Sequence, residues 1–164
     1  MNTDEALPAG TLDTDAVLVR DLRAEDLDAM VRIDRAITGR SRRGYYELKM
    51  KDALASGAMR ISLAAENEGR LAGFLLGSLY YGEFGMPEPS AVLDTIAVDP
   101  ACRGRHIGKA LLRQLVMNLR ALGIDRVRTE VEWDQFDLLG FLASRGFEPA
   151  RRLCLDLDLK SPPE

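Results

Sequence analysis

The stretch that decides the fold is residues 93–112, which read LDTIAVDPACRGRHIGKALL. Residues 93–98 are a short apolar run, the pattern of a strand that is buried on both faces. Asp99 and Pro100 end this run, because proline lacks an N–H and disfavours helical geometry in the residue before it. Residues 103–109 then supply two glycines and three cations, and apolar residues recur at helical spacing after them. The sequence therefore predicts a strand, a basic glycine-rich turn and the N-terminus of a helix.

The length and composition limit what kind of protein this is. A chain of 164 residues with 46% hydrophobic residues can build one core, so we expect one domain over residues 16–164, preceded by a flexible acidic tail over residues 1–15. A net charge of −4 argues against a nucleic-acid partner. No apolar run is long enough for a membrane span, and the N-terminus lacks a signal-peptide pattern. We therefore expect a cytoplasmic protein with no membrane partner.

The two cysteines, Cys102 and Cys154, are too few for a disulfide framework. Neither has a neighbouring His or Cys that would complete a zinc pattern. We therefore expect no metal ion in this protein.

The rest of the chain predicts the element order β-α-α-β-β-β-α-β-α-β. The predicted strands are residues 17–22, 61–66, 71–81, 91–98, 127–133 and 153–159, and the predicted helices are residues 24–36, 45–55, 108–122 and 136–145. Gly39 is a predicted helix C-cap, residues 67–69 form a predicted hairpin turn, and Trp133 is expected in the core or in the wall of a site. This order predicts a fold of the α/β class in the broad sense. Its sheet is mixed, as in α+β proteins, and helices cover both faces.

A helix N-terminus that follows a glycine-rich turn offers free N–H groups and a positive dipole end to phosphate oxygens. Two phosphate-binding patterns do not fit. A Walker loop requires Ser or Thr after Gly108-Lys109, where Ala110 stands, and the dinucleotide fingerprint requires a third glycine. A third pattern, Arg/Gln-x-x-Gly-x-Gly/Ala after a strand that ends in Val-x-Pro, does fit residues 103–108.

On these residues the chain resembles the GNAT superfamily of acetyl-CoA-dependent N-acetyltransferases. The resemblance extends over residues 17–159 and includes Val98-Asp99-Pro100, the helix start at residues 108–112, and residues 140–147, which are similar to the family's Phe-Tyr-x-x-x-Gly-Phe. It implies an acyltransferase fold in which the central strand splays from a parallel neighbour. It also implies that an acetyl group moves from acetyl-CoA to a primary amine by direct attack in a ternary complex.

The resemblance also implies where coenzyme A binds. Backbone groups at the end of the central strand would pair with the pantetheine arm, and backbone N–H groups of the turn would hold the pyrophosphate. The first set is Ile96, Ala97 and Val98, and the second is Arg103, Gly104, Arg105, His106, Ile107, Gly108 and Lys109.

Two residues depart from the family pattern. His106 stands where glycine is usual, and either an exposed loop residue or a phosphate contact would explain it. Leu142 stands where many members have a tyrosine that protonates the leaving thiolate. The second departure leaves an alternative open, a non-catalytic acyl-CoA-binding or sensing domain.

Direct transfer needs an amine that has lost its proton, since an alkyl ammonium has a pKa near 10.4. Asp94, inside an apolar strand, is the leading candidate for the general base, and a hydrogen bond to a group such as Thr95 is the alternative. Glu130 and Glu132 would share one face of a strand, either as an anionic lining or as solvated charges. Tyr81, at the end of the third strand, is a candidate for the missing acid, with core packing as the alternative.

The acceptor is the least determined part of this prediction. An acidic lining suggests a cationic amine, on a small molecule or on a protein. Arg40, Arg42 and Arg43 allow an acceptor that also carries a carboxylate or phosphate, although such a run is also typical of a solvated helix start. The oligomeric state is open, with a homodimer as one option.

Overall fold

The computed structural model describes residues 17–55 and 61–160. The chain divides into two compact units, each with most of its residue contacts inside itself. The first ends at Glu130 and the second begins at Val131. The predicted tail over residues 1–15 lies outside the described residues. The prediction that residues 16–164 form one domain stays a prediction.

The first unit is built on a five-stranded mixed sheet with the order β1-β2-β3-β4-β5. Its strands are β1 (Val17–Asp21), β2 (Leu63–Asn67), β3 (Arg70–Tyr80), β4 (Ser90–Val98) and β5 (Val127–Arg128). The first four strands pair antiparallel, and β5 runs parallel to β4. The β2–β3 turn has positive φ at Glu68 and Gly69, as the predicted hairpin requires. The predicted mixed α+β sheet is confirmed.

Helices cover both faces of this sheet, as predicted. They are α1 (Leu27–Thr38), α2 (Arg43–Ala55) and α3 (Ile107–Ala121). The core against α1 and α2 contains Phe74 and Leu76 of β3, and the ring of Tyr46 from α2 meets Phe74 edge-on at 5.6 Å. Because side chains alternate across a strand, Gly73 faces the opposite side, where α3 packs.

Helix α1 ends where the sequence predicts. Gly39 has a left-handed backbone with φ of 72°, and its N–H donates to the Arg35 carbonyl at 2.9 Å. A left-handed residue at this position satisfies a helix carbonyl that would otherwise lack a partner, and glycine adopts it at least cost.

The predicted strand over residues 127–133 is wrong in length, because β5 ends at Arg128. Only two residue pairs join β4 to β5, Ala91 with Val127 and Val92 with Arg128. The next contact is made by a side chain, as Thr129 Oγ1 donates to the Leu93 carbonyl at 2.8 Å. A strand persists only while a neighbour pairs with its backbone, and this pairing stops at Arg128.

The second unit contains α4 (Phe136–Ala143), which confirms the last predicted helix. Trp133 is not in the core, since the residue is 92% exposed, and its place in the wall of a site stays a prediction. The predicted strand over residues 153–159 is also absent, because these residues have no strand partner among those described. Their four leucines, Leu153, Leu155, Leu157 and Leu159, are exposed. Alternation without a pairing strand therefore gave the wrong secondary structure here.

Candidate active site

Asp99 fixes the point where β4 turns toward α3. Its backbone N–H donates to the Ala72 carbonyl at 2.8 Å, and its side chain accepts from the Ala101 N–H at 3.0 Å. The Arg32 guanidinium on α1 donates to the same carboxylate at 2.8 Å. Hydrogen bonds from Arg32 and then Ala101 hold the pKa of the Asp99 carboxyl below its ordinary value. The start of the turn is thereby tied to both β3 and α1.

The turn itself has two residues in the left-handed region. Gly104 has φ of 79°, and His106, the residue before α3, has φ of 57° and ψ of 19°. Histidine adopts this region more readily than most residues with a Cβ. The His106 side chain is exposed and does not cap the helix. This agrees with the hypothesis that His106 is an exposed loop residue with an acceptable backbone.

The N-terminus of α3 has backbone donors with no partner inside the helix. Its first backbone hydrogen bond runs from the Ala110 N–H to the His106 carbonyl at 3.0 Å. The N–H groups of Ile107, Gly108 and Lys109 precede that bond and point out of the helix end. No acidic side chain lies in the first turn, so the positive end of the helix dipole is not neutralised there. This end of α3 is suited to an anion.

Beyond Val92, no strand of the described sheet pairs with the β5 side of β4. Ile96, Ala97 and Val98 lie on this stretch, immediately before the turn. Backbone N–H and C=O groups on that side are left for another partner. An unpaired strand edge therefore leads directly to an uncapped helix N-terminus, within one continuous segment.

Residues 27–147 match the family model described as acetyltransferase (GNAT) family. The chain belongs to the GNAT acetyltransferase family. Comparison with curated protein sequences gives no match at a significant level. The predicted family is therefore confirmed by the family model and by the fold.

Solved structures with the same fold include several acetyltransferases. An aminoglycoside N-acetyltransferase in complex with CoA is 16% identical, with a TM-score of 0.72 over 87% of this chain and 95% of that one. A ribosomal-protein-alanine N-acetyltransferase from Brucella melitensis biovar Abortus 2308 is 19% identical, with a TM-score of 0.68 over 88% and 100%. A transcriptional regulator from Bacillus halodurans C-125 is 19% identical, with a TM-score of 0.72 over 87% and 99%. At these identities the likeness shows the GNAT fold alone.

In this GNAT chain, Asp94 lies on β4 in a small polar cluster. Its Oδ2 lies 3.3 Å from Lys49 Nζ on α2 and accepts a hydrogen bond from Ser78 Oγ on β3 at 3.1 Å. The alternative predicted for Asp94, a hydrogen bond to a nearby hydroxyl, is therefore formed, but with Ser78 instead of Thr95, whose hydroxyl lies 3.1 Å from that of Tyr45. Burial alone lowers the pKa of Lys49, but the Asp94 carboxylate outweighs it and raises that pKa above its ordinary value.

Sequence reasoning missed Lys49. It lies 45 residues before Asp94 on a polar helix, and nothing in its local pattern distinguishes it from a solvated lysine. The pair forms because the packing of α2 on the sheet brings Lys49 to Asp94, just as it brings Tyr45 to Thr95, and only the tertiary fold shows this.

The other predicted catalytic residues, Tyr81, Glu130 and Glu132, form no described hydrogen bond or ion pair with this cluster. Glu130 is exposed and follows the end of β5, and Glu132 is exposed in the second unit, outside any strand. The prediction that they share one strand face is wrong, because β5 ends before both. Tyr81 is 71% exposed, so core packing does not explain it. Their chemical roles stay predictions.

Of the basic residues at and before the start of α2, Arg42 and Arg43 are engaged within the protein. Arg42 forms an ion pair with the buried Asp34, whose Oδ1 also accepts a hydrogen bond from Tyr46 at 2.9 Å. Arg43 pairs with Asp28 and Glu47. Burial alone raises the pKa of Asp34, but hydrogen bonds from Arg42 and Tyr46 outweigh it and hold that pKa below its ordinary value. Arg42 and Arg43 therefore have structural partners.

The remaining features of the described part of the chain concern a metal site, a membrane-spanning helix, a disulfide and the proton donor of the family. No group of three His, Cys, Asp or Glu side chains there converges as a metal ion would require. No helix in that part is long and apolar enough to cross a membrane. Cys102 and Cys154 are not joined in a disulfide. Leu142, in the slot of the family tyrosine, is buried on α4 and has no proton to donate.

Proposed function

We propose that this chain is an N-acetyltransferase that moves an acetyl group from acetyl-CoA to a primary amine by direct attack in a ternary complex. The observation that carries the proposal is the continuity of the unpaired β4 edge with the uncapped N-terminus of α3. An extended arm that ends in a pyrophosphate requires these two features in this order.

The donor would bind mainly to backbone groups. The N–H groups of Ile107, Gly108 and Lys109, with those of Gly104 and His106, would hold the pyrophosphate. The N–H groups of Arg103 and Arg105 already donate to the Pro100 and Cys102 carbonyls at 3.4 Å and would have to exchange these bonds for the ligand. Arg103 and Lys109 add positive charge there, whereas Arg105 already faces Glu68 at 3.3 Å. The backbone of Ile96, Ala97 and Val98 would pair with the amide groups of the pantetheine arm, as an added strand does.

The reaction needs a base for the amine. Asp94 would take one proton from the ammonium, and the freed nitrogen lone pair would attack the thioester carbon. The C–S bond would break as the new C–N bond is completed, and the nitrogen would then give up its second proton to solvent. Thiols have a pKa near 8.5, so coenzyme A leaves as a reasonably stable thiolate, which takes a proton either from a side chain or from water. Tyr81, exposed at the end of β3, remains our candidate side chain for that proton. Glu130 and Glu132 would attract a cationic amine from solvent.

The test measures release of free thiol from acetyl-CoA in the presence of a panel of primary amines. We expect amine-dependent release, and a loss of about 100-fold or more in kcat in Asp94→Asn, the size typical of a missing general base. Asp28→Asn is the matched control, since this carboxylate is exposed on α1 and pairs with Arg43, which has no role in the proposed reaction. Gly108→Trp should abolish acetyl-CoA binding while the circular dichroism spectrum is retained.

The second candidate is a non-catalytic acyl-CoA-binding or sensing domain. Leu142 favours it, because the side chain that protonates the thiolate in many members is missing. Tight binding of acetyl-CoA with no thiol release for any amine would favour this function over catalysis. Equal release by the Asp94→Asn variant would instead overturn the role of Asp94.

A further inference from the structure

The two oxygens of the Asp94 carboxylate have different surroundings. Oδ2 faces both Lys49 Nζ and Ser78 Oγ. No described group bonds to Oδ1, and no described side-chain oxygen is both buried and without a partner. Oδ1 is therefore open to solvent, although the Asp94 side chain as a whole is only 19% exposed. One oxygen is engaged within the protein, and the other is available to a ligand.

Lys49 is similarly half engaged. An ammonium group has three N–H donors, and among the described residues Asp94 is the acceptor with which Lys49 pairs. Its Nζ lies 5.9 Å from the centre of the Tyr45 ring, and Tyr45 is itself held by Thr95 of β4. The side chain is 28% exposed. The ammonium is thus held in place with donors left for an acceptor from solvent.

The pair therefore presents a free anionic oxygen and a free cationic donor side by side. A plain cationic amine that approached Asp94 Oδ1 would place a second positive charge beside Lys49, and like charges repel. An amine that also carries an anionic group avoids this, because its anion would face Lys49. The charges would then alternate from the ligand ammonium to Asp94, to Lys49 and to the ligand anion.

We propose that the acceptor is a short amine that also carries a carboxylate or phosphate group, bound through its ammonium to Asp94 Oδ1 and through its anion to Lys49 Nζ. This inference rests on the proposed acetyltransferase function and names the acceptor class. It also places the anion at Lys49 instead of at Arg42 or Arg43, because Arg42 is already paired with Asp34, and Arg43 with Asp28 and Glu47.

The test compares amines that differ only in the anionic group. Glycine is paired with methylamine, β-alanine with ethylamine, and phosphoethanolamine with ethanolamine, and kcat/KM is measured for each by thiol release. We expect the wild-type protein to favour the anionic member of at least one pair by about 10- to 100-fold, the contribution of one charge-assisted hydrogen bond. Whether the carboxylate or phosphate pairs show the preference identifies the anion.

Variants of Lys49 separate recognition from folding. In Lys49→Met we expect the preference to fall to about threefold or less, through a higher KM for the anionic amine, while the plain amine is used at least as well. Lys49→Arg should restore most of the preference, because arginine also binds carboxylates and phosphates. Arg43→Met, which removes another ion-paired cation of α2, should leave the preference unchanged.

The results of these assays also distinguish a failure of the acceptor assignment from a failure of the acetyltransferase function on which it rests. Thiol release with plain amines alone, or a preference that survives in Lys49→Met, would overturn the acceptor assignment and leave the acetyltransferase function standing. Acetyl-CoA binding without thiol release for any amine would overturn the proposed function and the assignment with it.

Discussion

Gly73 of β3 lies so close to Ile107, the first residue of α3, that a Cβ on Gly73 would be 2.8 Å from Ile107 Cγ2. The same Cβ would lie 2.9 Å from the Ala97 carbonyl oxygen on β4. Ile107 is 1% exposed, so it has little room to move. Because Gly73 has no side chain, the N-terminus of α3 can pack closely against β3. This helix N-terminus is part of the proposed phosphate site.

Gly73→Ala should therefore destabilise the protein by about 1–3 kcal/mol, the usual cost of overpacking a core. Urea unfolding followed by circular dichroism measures this. Gly44→Ala is the control, since a Cβ at Gly44 on α2 meets nothing within 4 Å. We expect its stability to stay the same or to rise by up to about 0.5 kcal/mol. Equal stabilities for the two variants would contradict the packing described for Gly73.

Asp34→Asn should destabilise the protein by about 1–3 kcal/mol at neutral pH, because Arg42 and Tyr46 lose a charged acceptor. Asp28→Asn is the control on the same helix, since that carboxylate is 83% exposed. We expect its effect to stay within about 0.5 kcal/mol. A comparable loss in both variants would show that burial of Asp34 does not matter.

The effect of Asp34 should also depend on pH in a defined direction. Its pKa is lower in the folded protein than in the unfolded chain, so ionisation favours folding. The contribution is complete above the unfolded value of about 3.9 and is lost as the pH falls through the lower, folded value. The difference in Tm between wild type and Asp34→Asn should therefore shrink as the pH falls toward 3 or below. A difference that grows with acidification would contradict this sign.

His106→Gly should raise the stability by about 1 kcal/mol, because a residue with a Cβ is strained in the left-handed region that His106 occupies. Affinity for acetyl-CoA, measured by calorimetry, should stay within about twofold, since backbone groups would make the contacts. A large loss of affinity would instead support contact between the imidazole and a phosphate. Gly104→Ala, at φ of 79°, should lower the stability by a similar amount and serves as the converse control.

Asp99→Asn should weaken acetyl-CoA binding by about tenfold, because the turn before α3 loses the charged acceptor shared by Arg32 and Ala101. Arg32→Met should produce part of the same loss although it lies on α1, and the double variant should be no weaker than Asp99→Asn. Fully additive losses would show that Arg32 and Asp99 act separately.

Local features of the chain could be predicted from the sequence. The segment around Asp99 and His106 combines an apolar strand, a helix breaker, glycines and helical spacing, and each is a property of neighbouring residues. The caps and turns at Gly39 and Gly69 follow for the same reason. The mixed sheet follows from the order of these elements.

Features that depend on distant partners could not be predicted. The alternation that ends at Trp133 looks the same whether or not a strand pairs with it, and the alternating leucines near Leu155 are identical in pattern to a buried edge strand. The partner of Asp94 was missed because Lys49 is distant in sequence. Arg42 looked available to a ligand because its partner, Asp34, faces it only after α1 and α2 pack together.

The unpaired stretch of β4 has a consequence for how such a protein can change over generations. Every residue except proline carries the same backbone donor and acceptor, so a ligand held there is indifferent to side-chain identity. Structures of this fold retain TM-scores of 0.67 and 0.72 at 14% and 16% identity to this chain. Under the proposed function, related proteins would keep the ability to bind the acetyl donor as long as the backbone conformation is kept. Side chains at positions such as Lys49 and Asp94 could then change and select new acceptors.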